Sequence, residues 1–131
     1  MKVFEPISRE TERVAAAIID SAFKVHRTLG PGLLESIYEL CLAHELRQRG
    51  LSKETQVSLP ITYEGLRIEG GLRLDVVVEK LVIIEIKAVE KMIPVFAAQL
   101  LTYLKLTGLR LGLLINFNVP LIKDGIKRIV L

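Results

Sequence analysis

From Ser8 the apolar positions Val14, Ile18, Ala22, Val25 and Leu29 recur at spacings of 4, 4, 3 and 4, one face of a helix. Ser8 suits the cap, and Glu10 and Glu12 suit the positive end of the helix dipole. Gly30-Pro31-Gly32 stops the helix and opens the next, which the pattern runs from Leu33 to Arg49 with Gly50 as C-terminal cap. Leu33, Ile37 and Leu40, together with Leu34 and Cys41, mark its expected buried side. The period then shortens to two. Val57, Leu59, Ile61 and Tyr63 alternate with polar residues, and Glu64-Gly65 reads as a turn. Pro60 has no N–H to give a ladder, so this strand belongs at an edge or is broken there. Leu66–Glu69 continues a hairpin, with Gly70-Gly71 as a bulge or bend. Leu72–Glu79 and Leu81–Ala88 are nearly continuous in aliphatics, as in strands covered on both faces. Pro94 suits the first turn of a third helix, ending near Thr107 before Gly108. Leu109–Phe117 is a further strand, and Asp124-Gly125 predicts a hairpin between Val119–Lys123 and Ile126–Leu131. The order is α-α-β-β-β-α-β-β, and helices on a central mixed sheet are the economical α/β architecture.

Two of these strands carry charges where a core strand should be apolar. In Leu81–Ala88, Glu85 and Lys87 share a face with Ile83 and lie about 7 Å apart along the strand. The preceding strand sets Asp75 among Leu74, Val76, Val77 and Val78. Burying such ions costs several kcal/mol each unless they are paired or bind a metal. A hairpin pivoting on Lys80 puts Asp75 directly opposite Glu85; a two-residue Glu79-Lys80 loop puts it on the other face. Neither residue favours positive φ, which argues mildly against the tight turn. In the first register Asp75, Glu85 and the Ile86 carbonyl present hard oxygens suited to Mg²⁺ or Mn²⁺, which also take phosphate oxygens as ligands. Such a metal stabilises charge building on a phosphate and lowers the pKa of a water. Lys87 beside it could orient or deprotonate that water, or neutralise the charged phosphate. A Glu–Lys or Asp–Lys salt bridge on a half-exposed strand would explain the same residues. Glu35 shares a stripe with Tyr38, Leu42 and Leu46, where it could add a water-mediated ligand or simply favour the helix start.

Composition narrows the field. At 131 residues, half of them hydrophobic, the chain fits one domain, 1–131, and excludes a disordered tail. A single cysteine, Cys41, excludes a disulfide framework and a multi-cysteine zinc module, and suggests a reducing, cytoplasmic setting. No apolar run is long enough to span a membrane, and Met1–Pro6 contains no apolar stretch like that of a signal peptide. The net charge of +3, with an isoelectric point of about 9.1, permits nucleic acid as a partner without demanding it. The aromatics are too few for a single-strand stacking platform. His26 and His44 lack a third ligand for zinc, and Cys41 reads as a core residue.

Gly32-Leu33-Leu34-Glu35-Ser36-Ile37-Tyr38 is a GxxExxY signature. With Arg73-Leu74-Asp75, Glu85-Ile86-Lys87, Gln99–Leu104 and Gly112–Phe117, it resembles the small bacterial GxxExxY family, grouped with the PD-(D/E)XK nuclease superfamily. The resemblance covers nearly the whole chain. It implies a restriction-endonuclease-like core that binds Mg²⁺ and cuts DNA. Carried over, Asp75 and Glu85 look like metal ligands, Lys87 like the catalytic lysine and Glu35 like the helix carboxylate. Gln99 looks like the glutamine on the helix after the core strands, and Tyr38 and Tyr103 like site-lining groups. The chain departs from the family at Phe96, where members often carry a polar residue, commonly histidine. The expected function is a metal-dependent nuclease hydrolysing DNA phosphodiester bonds; the alternative is a catalytically inactive nucleic-acid-binding or interaction module on the same fold. The apolar C-terminal hairpin and a mean hydropathy of +0.41 suit a homodimer in either case. The small size points to reading DNA shape or to a partner protein.

Overall fold

The computed structural model describes residues 5–131. The first four residues, part of the N-terminal stretch Met1–Pro6, lie outside them. The elements are α1 (Arg9–Leu29), α2 (Glu35–Gln48), β1 (Lys53–Tyr63), β2 (Leu66–Val78), β3 (Val82–Lys87), α3 (Pro94–Thr107), β4 (Leu111–Asn116), a 3-10 turn (Ile122–Gly125) and β5 (Ile126–Val130). One five-stranded sheet runs β1-β2-β3-β4-β5, with only the β3–β4 pair parallel. That pair needs a crossover, and α3 supplies it. Helices flank the sheet as in a restriction-endonuclease-like core. α1 and α2 cover one face, where Ile18, Leu42, Ile84, Ile86 and Phe117 pack together; α3 covers the other with Leu100 and Leu104 on Leu74, Ile83 and Leu114.

Ser8 caps α1 by accepting the Thr11 N–H at 3.1 Å, and Gly30 closes it at φ 72° by donating to the His26 carbonyl. α2 corrects the expected buried side. Leu34 and Leu40 are 73% and 66% exposed, Leu33 and Ile37 also face outward, and the buried stripe is Tyr38, Leu42 and Leu46. The decisive residue is Tyr38. Its ring stacks on Phe117 at 4.6 Å, and its hydroxyl donates to the Gly30 carbonyl (2.7 Å) and accepts from the Leu33 N–H (3.0 Å). One side chain thus ties α2, the Gly-Pro-Gly corner and the residue that follows β4 together. Cys41 is half-buried against the core, and no helix among the described residues is long and apolar enough to cross a membrane.

β1 is an edge strand, and its register against β2 breaks between Leu59 and Ile61, at Pro60. Glu64 and Gly65 turn the hairpin with φ of 47° and 82°. Leu66–Glu69 and Leu72–Glu79 are one strand rather than two, passing through Gly70 at φ 65°. The C-terminal hairpin is not formed. Val119–Lys123 instead bends over the end of α1, where the His26 ring nitrogen meets the Val119 carbonyl at 2.7 Å and Ile122 is buried. Gly125 then passes so close to the Asn116 carbonyl that a Cβ would sit 2.1 Å from it, and β5 pairs with β4.

Candidate active site

The β2–β3 register runs Val76↔Ile84, Val77↔Ile83 and Val78↔Val82, so the hairpin pivots on Lys80. The loop is Glu79-Lys80-Leu81, and Glu79 and Lys80 both adopt positive φ, 54° and 55°, against their preference. Each such residue costs about 1 kcal/mol or more. The turn is held from outside: Glu79 donates its N–H to the Ser52 carbonyl and accepts the Ser52 N–H on its carboxylate, both at 2.8 Å.

Continued one step, this register sets Asp75 opposite Glu85, but backbone pairing stops there. The side chains replace it. The Ile86 N–H donates to Asp75 Oδ2 at 2.9 Å, and the Asp75 N–H points to Glu85 Oε1 at 3.4 Å. A strand residue's N–H and C=O point to the same edge, so the Ile86 carbonyl faces the opening beside Asp75. Glu85 is only 5% exposed. Burial first, then the charge of Asp75, pushes its carboxyl up to about 8. Two acids sharing a buried gap disfavour double ionisation, which is the electrostatic problem a divalent cation solves. No third Asp, Glu, His or Cys completes a metal-holding group among the described residues. The donor set of two carboxylates and a main-chain oxygen nevertheless fits Mg²⁺, which keeps waters and seldom takes an all-protein cage.

On the same face, the Lys87 ammonium sits 4.3 Å above the centre of the Phe96 ring. The chain beyond β3 is fastened by buried Asn116, whose side chain accepts the Val89 and Asn118 N–H groups and donates to the Val89 carbonyl. Phe96, Gln99 and Tyr103 follow at spacings of three and four, one stripe of α3. Burial and then the charges of Glu85 and Asp75 raise the Tyr103 hydroxyl's pKa, and a hydrogen bond with Gln99 opposes this. From the opposite side, Glu35 is raised by desolvation and then by Asp75, with Lys87 opposing, so it stands within electrostatic reach of both.

The structure therefore brings Asp75, Glu85 and Lys87 together at the end of the β2–β3 ladder, with Tyr103 and Glu35 within electrostatic reach of them and Gln99 beside Tyr103. Tyr38 is elsewhere in function: fully buried against Phe117, it is part of the core and does not line the site. Two neighbours escape the sequence reading. Glu39, one turn after Glu35, is raised by burial while a hydrogen bond from Gln56 and the charge of Arg73 oppose. Its spacing of four from Glu35 is a usable signal. Gln56 is not readable, because its role depends on φ 52° at the β1 position facing Asp75, where the β1–β2 pairing skips a residue. Across that point the sheet faces exchange: Leu72 and Leu74 pack with α3, Val76 and Val78 with α1 and α2.

A family profile described as the PD-(D/E)XK nuclease superfamily matches residues 12–129. The chain belongs to that superfamily. The candidates in this PD-(D/E)XK chain for the acids and lysine of the motif are Asp75, Glu85 and Lys87. The crystal structure of SSO0001 is similar in fold, with a TM-score of 0.56 and 23% identity over 98% of this chain and 70% of its own. No curated protein matches the chain.

Proposed function

We propose that this PD-(D/E)XK chain, of the GxxExxY type, is a divalent-metal-dependent nuclease that hydrolyses DNA phosphodiester bonds. The observation that carries the reading is the pairing of half-buried Asp75 with buried Glu85, with Lys87 on the same strand face and the β2–β3 ladder opened between the acids. Asp75, Glu85 and the Ile86 carbonyl would hold Mg²⁺ or Mn²⁺, which when bound polarises a phosphate oxygen and makes water a better nucleophile. The protein's own groups do the rest. Lys87 orients the attacking water or neutralises charge gathering on the phosphate. Gln99 and Tyr103 flank the acids from α3, and Glu35 would add a water-mediated ligand. The single half-buried cysteine suits a cytoplasmic protein.

The test is cleavage of linear, circular, single-stranded and branched DNA with Mg²⁺, Mn²⁺ or chelator, with Asp75→Ala and Lys87→Ala prepared in parallel. Metal-dependent cutting that falls by at least a hundredfold in both variants supports the reading. If the wild type leaves every substrate intact yet binds DNA with an affinity that neither variant changes, the chain is a binding module, alone or with a partner protein. The C-terminal hairpin no longer argues for a homodimer. The outward face of α2 takes its place: Leu33, Leu34, Ile37 and Leu40 expose roughly 400 Å², about half of what each partner of a standard interface buries. Sedimentation of the wild type against Leu40→Lys decides it, and a monomeric wild type removes the dimer.

A further inference from the structure

Lysine is a flexible point charge whose four-carbon stem loses substantial rotamer entropy when fixed. Lys87 therefore needs something to hold it toward the acids, and the ion pairs of the described residues (Lys24–Glu45, Arg49–Asp20, Arg67–Glu69 and Arg128–Glu12) do not include it. Its placed contact is the face of Phe96, 4.3 Å from ammonium to ring centre. That ring is itself well fixed. It is half-buried against the α3-side core, Pro94 sets the first turn of its helix, and its N–H donates to the Ile93 carbonyl at 3.1 Å. The linking segment is clamped at Val89 by Asn116. An aromatic face attracts a cation through its quadrupole and, unlike a carboxylate, adds no negative charge to a site already crowded with acids.

We propose that Phe96 is a positioning residue for the nuclease reaction, its ring the seat that holds the Lys87 ammonium toward the Asp75–Glu85 opening. This rests on the nuclease reading for its consequence, but the seat itself can be observed without activity. The experiment places phenylalanine carrying one, two and three ring fluorines at position 96, beside Phe96→Leu and Phe96→Tyr. Fluorination drains the face of negative potential with little change of shape, so a packing role is insensitive to it. The first readout is the NMR shift of the Lys87 ε-protons. They should resonate upfield of the other lysines' in the wild type, move back stepwise along the fluorine series, and lose the displacement in Phe96→Leu. The second is cleavage. Phe96→Leu should lower kcat by about 2- to 30-fold with KM unchanged, the fluorinated variants should fall in order between, and Phe96→Tyr should restore the rate. Lys87 ε-protons at the ordinary lysine position in the wild type, or a flat kcat series in an active enzyme, would overturn the proposal. A wild type that cuts nothing sinks the nuclease reading, and the proton shifts then decide the seat alone.

Discussion

Glu85 sets the pH behaviour of the metal-free protein. Burial and Asp75 raise its carboxyl to about 8 in the folded state, against an ordinary value of 4.5. Between those values the folded chain holds a proton that the unfolded chain releases, so unfolding becomes easier as pH rises. The stabilising contribution is complete below about pH 4.5 and is lost as pH climbs through 8. A tenfold difference in proton affinity is worth about 1.4 kcal/mol, so the loss across that window is on the order of a few kcal/mol. Urea denaturation of chelated protein should therefore show stability falling between about pH 5 and 8.5. Glu85→Gln, uncharged at every pH, should remove most of that slope. A wild-type profile that is flat or rises over the same range would show that Glu85 is ionised at ordinary pH. The carboxylate's discomfort was legible in the sequence, since Glu85 interrupts an aliphatic run. Its partner was not: whether Asp75 lay opposite depended on a three-residue loop in which Glu79 and Lys80 both take positive φ against type.

At the scale of elements, α2 shows what a pattern decides and what it leaves open. Two stripes satisfy its helical spacing, and the more aliphatic one, through Leu33, Leu34, Ile37 and Leu40, faces out. Counting apolar residues favours that stripe because Glu35 and Glu39 dilute the other. The dilution follows from position, since the stripe begins beside Asp75, whose charge reaches both glutamates, and only then becomes core. Tyr38 anchors the choice through its stack on Phe117 and two hydrogen bonds from its hydroxyl. Tyr38→Phe keeps the stack and leaves the Gly30 carbonyl and Leu33 N–H without that partner. It should cost about 1–2 kcal/mol of stability in chemical denaturation while leaving the kcat of the folded enzyme within about twofold. A large loss of kcat at full folding would return Tyr38 to the site. The hairpin ends were easier to read. Pro60 announces an edge and a register break because it lacks a donor, and Glu64-Gly65 turns where the alternation stops. The last segment misled because Asp124-Gly125 has hairpin composition, whereas Gly125 is required by its approach to the Asn116 carbonyl, a contact distant in the fold's interior and invisible locally.

Across the whole molecule, the sheet is built to be incomplete at one place. β3 pairs with β4 along its full length, from Val82↔Leu111 to Lys87↔Asn116, while its β2 ladder ends at Val76↔Ile84. Half-buried Asp75 and buried Glu85 fill the gap with hydrogen bonds to main chain, and burial holds the Glu85 carboxyl well above its ordinary range. A fold optimised for stability alone would replace one acid by a neutral residue; the proposed metal site would use both. That opposition predicts a variant in which stability and function move apart. Asp75→Asn can still accept the Ile86 N–H but removes the charge that, after burial, raises Glu85. At pH 8 without metal it should melt higher than the wild type. Adding Mg²⁺ or Mn²⁺ should then reverse the ranking, because only the wild type keeps the paired carboxylates. Ligand at a hundredfold excess over its Kd contributes about 2.7 kcal/mol, roughly 10 °C for a domain of this size, and Asp75→Asn should gain little of it. Thermal melts of both proteins with chelator and with each ion give the numbers needed. If Asp75→Asn melts lower than the wild type without metal, the acids stabilise each other and the gap is a structural hydrogen-bond bridge. If it melts higher but gains as much from metal as the wild type, the cation binds somewhere other than between Asp75 and Glu85.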